Sequence, residues 1–417
     1  MTSRRRFLAG SAVLMLAPGL ARGDTARKKV AFLGTEVRTH SHAQHFLDRM
    51  TLGYTWGGKW LAPRIEVASL YVDQFPEADL ARGRAARHKL KLFPTIEEAL
   101  TLGRDRLAVD GVVIIAEHGR YPRNEKGQTL YPRYEFFKRV VKVFEQSGRS
   151  VPVFNDKHLS TTWARCREMV DDARRLDFPL LAGSSLPLTW RLPQVDMPLD
   201  VALVESVCVG YGGVDSYDFH GLETAQCMSE RRQGGEQGIK RVQAVRGAAV
   251  WQALSGEDRE TTRRLLVAAL NRSHTLPVET GYPTDAVTFE WARRTFPKML
   301  AYFIEHVGGF RTTLFLAPIH DFNYAGMRGD GQVVSCQMYL PMPEHSATTA
   351  DFFNPLVRQI EDLVLERRAN YPVERTLLTS GMVIAAMDSL HRGQVPVETP
   401  EMAISYQASR DSHYRRD

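Results

Sequence analysis

Apolar runs and helix-periodic stretches alternate through the first half of the chain. KKVAFLG, Lys28 to Gly34, is a continuous apolar run that ends on a glycine, the pattern of a buried strand. HSHAQHFLDRM follows with Ala43, Phe46, Leu47 and Met50 at helical spacing. IEVASLYVD is the next strand and closes on Asp73. PEADLARGRAARHKL predicts a helix, LFPT a short strand, IEEALTLG another helix, and DGVVIIAEHG, Asp110 to Gly119, a strongly apolar strand. After a polar interruption come the helix FFKRVVKVFEQSG, the strand VPVFNDKH, the helix STTWARCREMVDDARRLD and the strand FPLLAGSS, ending at Ser185. This β-α-β rhythm over residues 28–185 predicts an α/β fold, a Rossmann-type doubly wound parallel sheet covered on both faces.

From Leu186 the pattern changes. Predicted long helices, ETTRRLLVAALN and FEWARRTFPKMLAYFIEHVG, mix with strands RTTLFLAP and GQVVSCQMYLP. The mixture predicts an α+β domain over 186–405, built on an open, largely antiparallel sheet. Residues 406–417 read as a frayed tail.

Ahead of the first strand, SRRRFLAGSAVLMLAPGLARG joins arginines to Phe7, Leu8 and a short apolar run with small residues at Ala21 and Gly23. It predicts a twin-arginine export signal over 1–23, and therefore a periplasmic protein exported in folded form. Four of the 54 basic residues, Arg4, Arg5, Arg6 and Arg22, fall there, leaving 50 against 48 acidic ones, a net charge of +2. That near-balance gives no reason to expect a nucleic-acid partner. No apolar run beyond Lys28 approaches the length of a membrane span. The four cysteines have no metal-ligand spacing and read as structural thiols.

Candidate chemistry gathers where predicted strands end. After Gly34 and Thr35, a dinucleotide-binding loop calls for more glycine, but Glu36 stands at the second glycine position. A carboxylate there crowds and repels phosphates; Arg38 offers a compensating positive charge, so retention and loss of a nucleotide both stay open. Asp73 sits where an acid binds the adenosine ribose, which favours NAD over NADP. His40, His42 and His45 do not share one helical face, so they do not make a metal site by themselves. Glu117 and His118 end a strand at the edge that faces the ligand crevice. The insertion RYPRNEKGQTLYPRYE, within about 119–135, is rich in Tyr and Arg, and Tyr121, with Trp190, Arg191 and His320, makes the candidate substrate contacts.

Four landmarks, VAFLG, the acid-ended SLYVD, NDKHL, and DFHGLE with the later SLHRGQVPVETP, resemble the Gfo/Idh/MocA family of glucose-fructose oxidoreductase and inositol dehydrogenase. The resemblance implies a nicotinamide cofactor, NAD or NADP, tightly bound if it is exported with the folded chain, a sugar or polyol substrate, and a homo-oligomer formed through the second sheet. By the same resemblance Lys157 matches the lysine beside the nicotinamide, and His220 matches the catalytic histidine. Glu223 then orients the imidazole, and His42 is the first-helix histidine. The chain departs from the family at Glu36, at Glu117 and His118, at His158 in place of a proline, and at Ser216 in place of an aspartate. The last change would leave Asp215 or Asp218 to cover the missing carboxylate. Non-redox chemistry on carbohydrates, or a binding protein on the same fold, remain the alternative classes.

Overall fold

The computed structural model describes residues 26–277, 287–342 and 348–416; the predicted export signal lies outside them. Six strands form the first sheet: β1 (Lys28–Gly34), β2 (Ile65–Val72), β3 (Lys91–Phe93), β4 (Gly111–Ile115), β5 (Val153–Asp156) and β6 (Leu180–Gly183). They lie in the order β3-β2-β1-β4-β5-β6, all parallel. The order reverses between β1 and β4, which opens the switch-point crevice beyond Gly34 and Ile115.

Helices α1 (His42–Leu52), α2 (Ala81–His88), α3 (Ile96–Thr101), α4 (Arg133–Ser147) and α5 (Trp163–Arg175) connect these strands. Helices α3, α4 and α5 pack on one face through Leu100, Phe137, Val140 and Met169. The other face takes α1 and, from far along the chain, the helix Asn354–Glu366, through Phe46, Leu356, Ile360 and Val364. Val364 lies 2.7 Å from where a Cβ on Gly111 would stand, so β4 accepts this helix only because position 111 is glycine. The second domain is therefore not the continuous 186–405 block expected: apolar residues at 356, 357, 360, 363 and 364 return that helix to the first sheet.

The second sheet contains β7 (Arg191–Leu192), β8 (Leu203–Gly210), β9 (Ile239–Arg246), β10 (Leu300–His306), β11 (Arg311–Leu316), β12 (Phe322–Arg328), β13 (Val333–Met338) and β14 (Val397–Glu398). Its order is β14-β9-β10-β11-β8-β12-β13-β7, antiparallel except for β8 with β11. The long helix expected over FEWARRTFPKMLAYFIEHVG is a short one, Phe289–Thr295, followed by β10. Pro297 stops the helix, and the run Ala301–Ile304 is buried in mid-sheet. Helix α6 (Asp218–Ser229) covers one face, where Ser229 Oγ donates to Ser206 Oγ at 3.0 Å. Helix Glu260–Leu270 covers the other, where Thr262 hydrogen-bonds Glu205.

The helix Glu374–His391 joins the two cores, with Leu377 in the first and Leu378, Met382 and Ala386 in the second. The C-terminal segment is packed and not frayed. Tyr406 is buried; its hydroxyl donates to Glu230 Oε2 at 2.7 Å and accepts from Gln226 Nε2 at 2.9 Å. Arg191 lies over the Tyr414 ring at 4.0 Å, and Arg415 N donates to Leu188 O at 2.9 Å. Its polar composition misled because Tyr406, Ser409, Ser412 and Tyr414 each meet a partner elsewhere in the fold. Tyr406→Ala is expected to lower the unfolding free energy by about 3–5 kcal/mol in urea titration, whereas a frayed tail would give a change below about 0.5 kcal/mol.

Candidate active site

The carboxyl edge of the first sheet meets the start of α6, and there Lys157 and His220 line one cavity of about 120 Å³. Lys157 follows β5 in a left-handed conformation, φ 66°, with its N–H donating to Gly183 O at 3.1 Å. The strain of that conformation, about 1–3 kcal/mol, turns the side chain out of the sheet's alternation. Its Nζ lies 3.7 Å from Glu117 Oε1 and 5.6 Å from the Tyr217 ring centre.

His220 enters from the first turn of α6, and its Nδ1 lies 2.6 Å from Ser184 Oγ. Leu186 N also donates to that hydroxyl, at 3.1 Å, which fixes Ser184 in place. Burial, with Lys157 and His42 nearby, holds the His220 imidazole well below its usual pKa, so it is neutral. The tautomer that donates Nδ1–H to Ser184 leaves the Nε2 lone pair as a proton acceptor.

Behind the cavity runs a buried polar chain. Glu117 pairs with Arg133, whose Nη1 donates to His158 Nε2 at 3.1 Å, and His158 Nε2 lies 3.6 Å from Asp215 Oδ1. Burial pushes the Glu117 carboxyl up, but the Lys157 ammonium and Arg133 guanidinium outweigh it and hold it well below the usual range. Burial drives His158 well down and His118 to about 3, so both are neutral. His42 Nδ1 meets Asp156 Oδ2 at 2.7 Å, and Phe353, from the returning C-terminal segment, closes on His42 with ring centres 5.2 Å apart. Among the described residues no group of three or more His, Cys, Asp or Glu is placed to hold a metal.

At the nucleotide end of the crevice the chain's own side chains pair with one another. Gly34 ends β1, and Thr35 Oγ1 donates to Glu117 O at 2.7 Å across the switch point. Glu36 is buried and accepts from Arg38 Nε at 2.6 Å; Asp73 accepts from Tyr121 OH at 2.6 Å. As they stand, these residues do not fit the pyrophosphate and ribose of a dinucleotide.

Several expected residues are elsewhere. Glu223 does not touch the His220 imidazole; Ser184 holds that position. The Glu223 carboxyl accepts from Thr379 at 2.6 Å and from Ser184 N at 3.4 Å, and burial raises it to about 7. Asp218 caps its own turn, accepting from Asp215 N, Ser216 N and Phe219 N at 2.8–2.9 Å and from Tyr302 OH at 2.8 Å, so its oxygens are taken by backbone N–H groups and a tyrosine hydroxyl. Arg191 is fully buried against Asp196 and Tyr414. Trp190 packs on Tyr339, and His320 packs on Tyr211 outside the cavity lining. Tyr121 serves Asp73. The cavity instead uses Ser185, Ser216, Tyr217 and Phe353. Arg133 was hidden in the insertion, where its burial had no sequence signal.

Burial, reinforced by Asp218, raises the Asp215 carboxyl to about 7. The folded state therefore keeps a proton that the unfolded state loses at lower pH. This stabilisation is full below the unfolded carboxylate pKa and is lost as pH rises through about 7. Between pH 5 and 7 the wild type is expected to lose about 2 kcal/mol more unfolding free energy than Asp215→Asn, measured by urea titration at each pH; asparagine keeps the oxygen that accepts Thr129 N at 2.9 Å.

No family model matches the sequence, and no curated protein matches it. Among solved structures it is similar to GenD2 from gentamicin A biosynthesis, in complex with NAD, with TM-score 0.56 and 13% identity over 94% of this chain and 99% of that one. It is also similar to myo-inositol dehydrogenase from Lactobacillus casei, in complex with NAD(H) and myo-inositol, with TM-score 0.53 and 12% identity over 93% and 99% of the two chains. A myo-inositol dehydrogenase from Corynebacterium glutamicum gives TM-score 0.51 and 11% identity over 89% and 98%. The chain thus has the two-domain fold that the landmark residues implied, a Rossmann-type domain joined to a largely antiparallel sheet domain, shared with GenD2 and with inositol dehydrogenases.

Proposed function

We propose that the protein is a divergent Gfo/Idh/MocA-type enzyme that acts on a hydroxyl of a sugar or cyclic polyol, with Lys157 and His220 handling the hydroxyl proton. The observation that carries this is the convergence of an ammonium and a neutral, anchored imidazole on one cavity. Lys157 hydrogen-bonds the substrate oxygen and stabilises its developing negative charge, while His220 Nε2 accepts the proton. Ser184 anchors the imidazole through Nδ1 at 2.6 Å, and Glu117 holds the ammonium at 3.7 Å. Proton removal raises electron density on the oxygen, and a nicotinamide, if bound, would accept the hydride from the adjoining carbon as the alcohol becomes a carbonyl. Two fold neighbours, GenD2 and the Lactobacillus casei enzyme, are complexes with NAD and NAD(H), which supports a nicotinamide as the cofactor of such a reaction.

One observation favours a second reading, acid–base chemistry on a carbohydrate without net redox: the pairing of Glu36 with Arg38 and of Asp73 with Tyr121 at the nucleotide end of the crevice. Product analysis with and without added NAD separates the two. Export in folded form to the periplasm is supported by the arginine-led leader alone.

Incubation with a panel of inositols and aldoses, followed by NMR of the products, identifies the accepted substrate. On that substrate Lys157→Met and His220→Asn are each expected to lower kcat/KM by about 10²–10⁴-fold. Unchanged kcat/KM in both variants would place the chemistry elsewhere.

A further inference from the structure

Parallel sheets of this kind receive a dinucleotide in a fixed manner. The pyrophosphate crosses the loop after the first strand at a helix N-terminus, and an acid at the end of the second strand takes the ribose. In this chain both positions are satisfied from within.

At the phosphate position the Glu36 carboxylate, only 6% exposed, pairs with Arg38 Nε at 2.6 Å. Arg38 Nη2 continues to His118 Nδ1 at 3.3 Å and so ties the loop to the residues after β4. The start of α1 is closed as well: Ser41 Oγ accepts from Gln44 N at 3.2 Å and from Arg38 N at 3.1 Å, and Gln44 Oε1 accepts from His40 N at 2.7 Å. The N–H groups that a phosphate would use are thereby partly consumed.

At the ribose position Asp73 accepts from Tyr121 OH at 2.6 Å on one oxygen and from Tyr71 OH at 3.0 Å on the other. Tyr121 arrives on the insertion, which Gln74 holds by accepting from Arg120 N at 2.9 Å and donating to Arg120 O at 3.2 Å. The turn into it needs Gly119, at φ +103°, where a Cβ would stand 2.8 Å from the Tyr121 ring.

We propose that Glu36, Arg38 and Tyr121 form an internal plug that sets the affinity of this chain for a dinucleotide. The Tyr121 hydroxyl stands in for a ribose hydroxyl on Asp73, and the Glu36 carboxylate stands in for a phosphate on Arg38. A dinucleotide must displace both, opening an ion pair whose carboxylate is buried and whose guanidinium is 40% exposed, before it binds. The inference rests on the nicotinamide reading of the fold, because it concerns the site that reading assigns.

The test is titration of the full chain with NADH, followed by nicotinamide fluorescence, for the wild type, Glu36→Gly, Tyr121→Ala, Tyr121→Phe and the Glu36→Gly/Tyr121→Ala double variant. Thermal unfolding checks that each is folded. Kd is expected to fall at least tenfold in Glu36→Gly and in Tyr121→Ala, furthest in the double variant, and less in Tyr121→Phe, which keeps the ring. Wild-type binding as tight as that of the variants would overturn the plug and leave the nicotinamide reading standing. No binding by any folded variant would overturn both.

Discussion

The site depends on one buried carboxylate, Glu117, held between two cations. Its oxygens face Lys157 and Arg133, on opposite sides of the carboxyl edge of the first sheet. None of the three side chains has more than a small exposure to water, so removing one partner strands the others, a loss of about 3–5 kcal/mol for a buried pair. Through Arg133 the carboxylate fixes the start of α4 and the end of the insertion, and through Lys157 it fixes the turn after β5. The insertion therefore belongs to the architecture of the site. It brings Arg133 to Glu117, Thr129 to Asp215 and Tyr121 to Asp73.

Four of the twelve non-glycine residues with positive φ among the described residues lie around the same place. His40, His118, Lys157 and Asp215 all have positive φ without being glycine. Each sits where a strand or loop must turn a polar side chain toward the crevice, and three of the four follow or face the strand ends that carry the candidate chemistry. The surrounding packing holds these conformations. Leu33, Ile115 and Phe154 are fully buried behind the edge, and Phe353 closes it from a segment almost two hundred positions beyond Lys157.

The parallel sheet was legible in the sequence because a strand buried on both faces writes a continuous apolar run, as in VAFLG and GVVII. Lys157 and His220 were legible only by motif, since nothing in spacing alone brings them together. The exchange of helix for strand at 300–306 arose because an apolar run has no distinct period, and Pro297 was the cue. The return of helix Asn354–Glu366 to the first sheet depends on Gly111, a cue visible only once Val364 is seen against it. Glu223 and Asp218 were misplaced for one physical reason: a carboxylate near a motif histidine looks catalytic, but here nearer hydroxyls and backbone N–H groups claim it first.

The most direct measurement is a crystal structure of the protein with the polyol or sugar that it converts. The account predicts the reacting hydroxyl oxygen within about 3.2 Å of both Lys157 Nζ and His220 Nε2. A substrate bound with that hydroxyl out of reach of either group, or seated in another cavity, would contradict it.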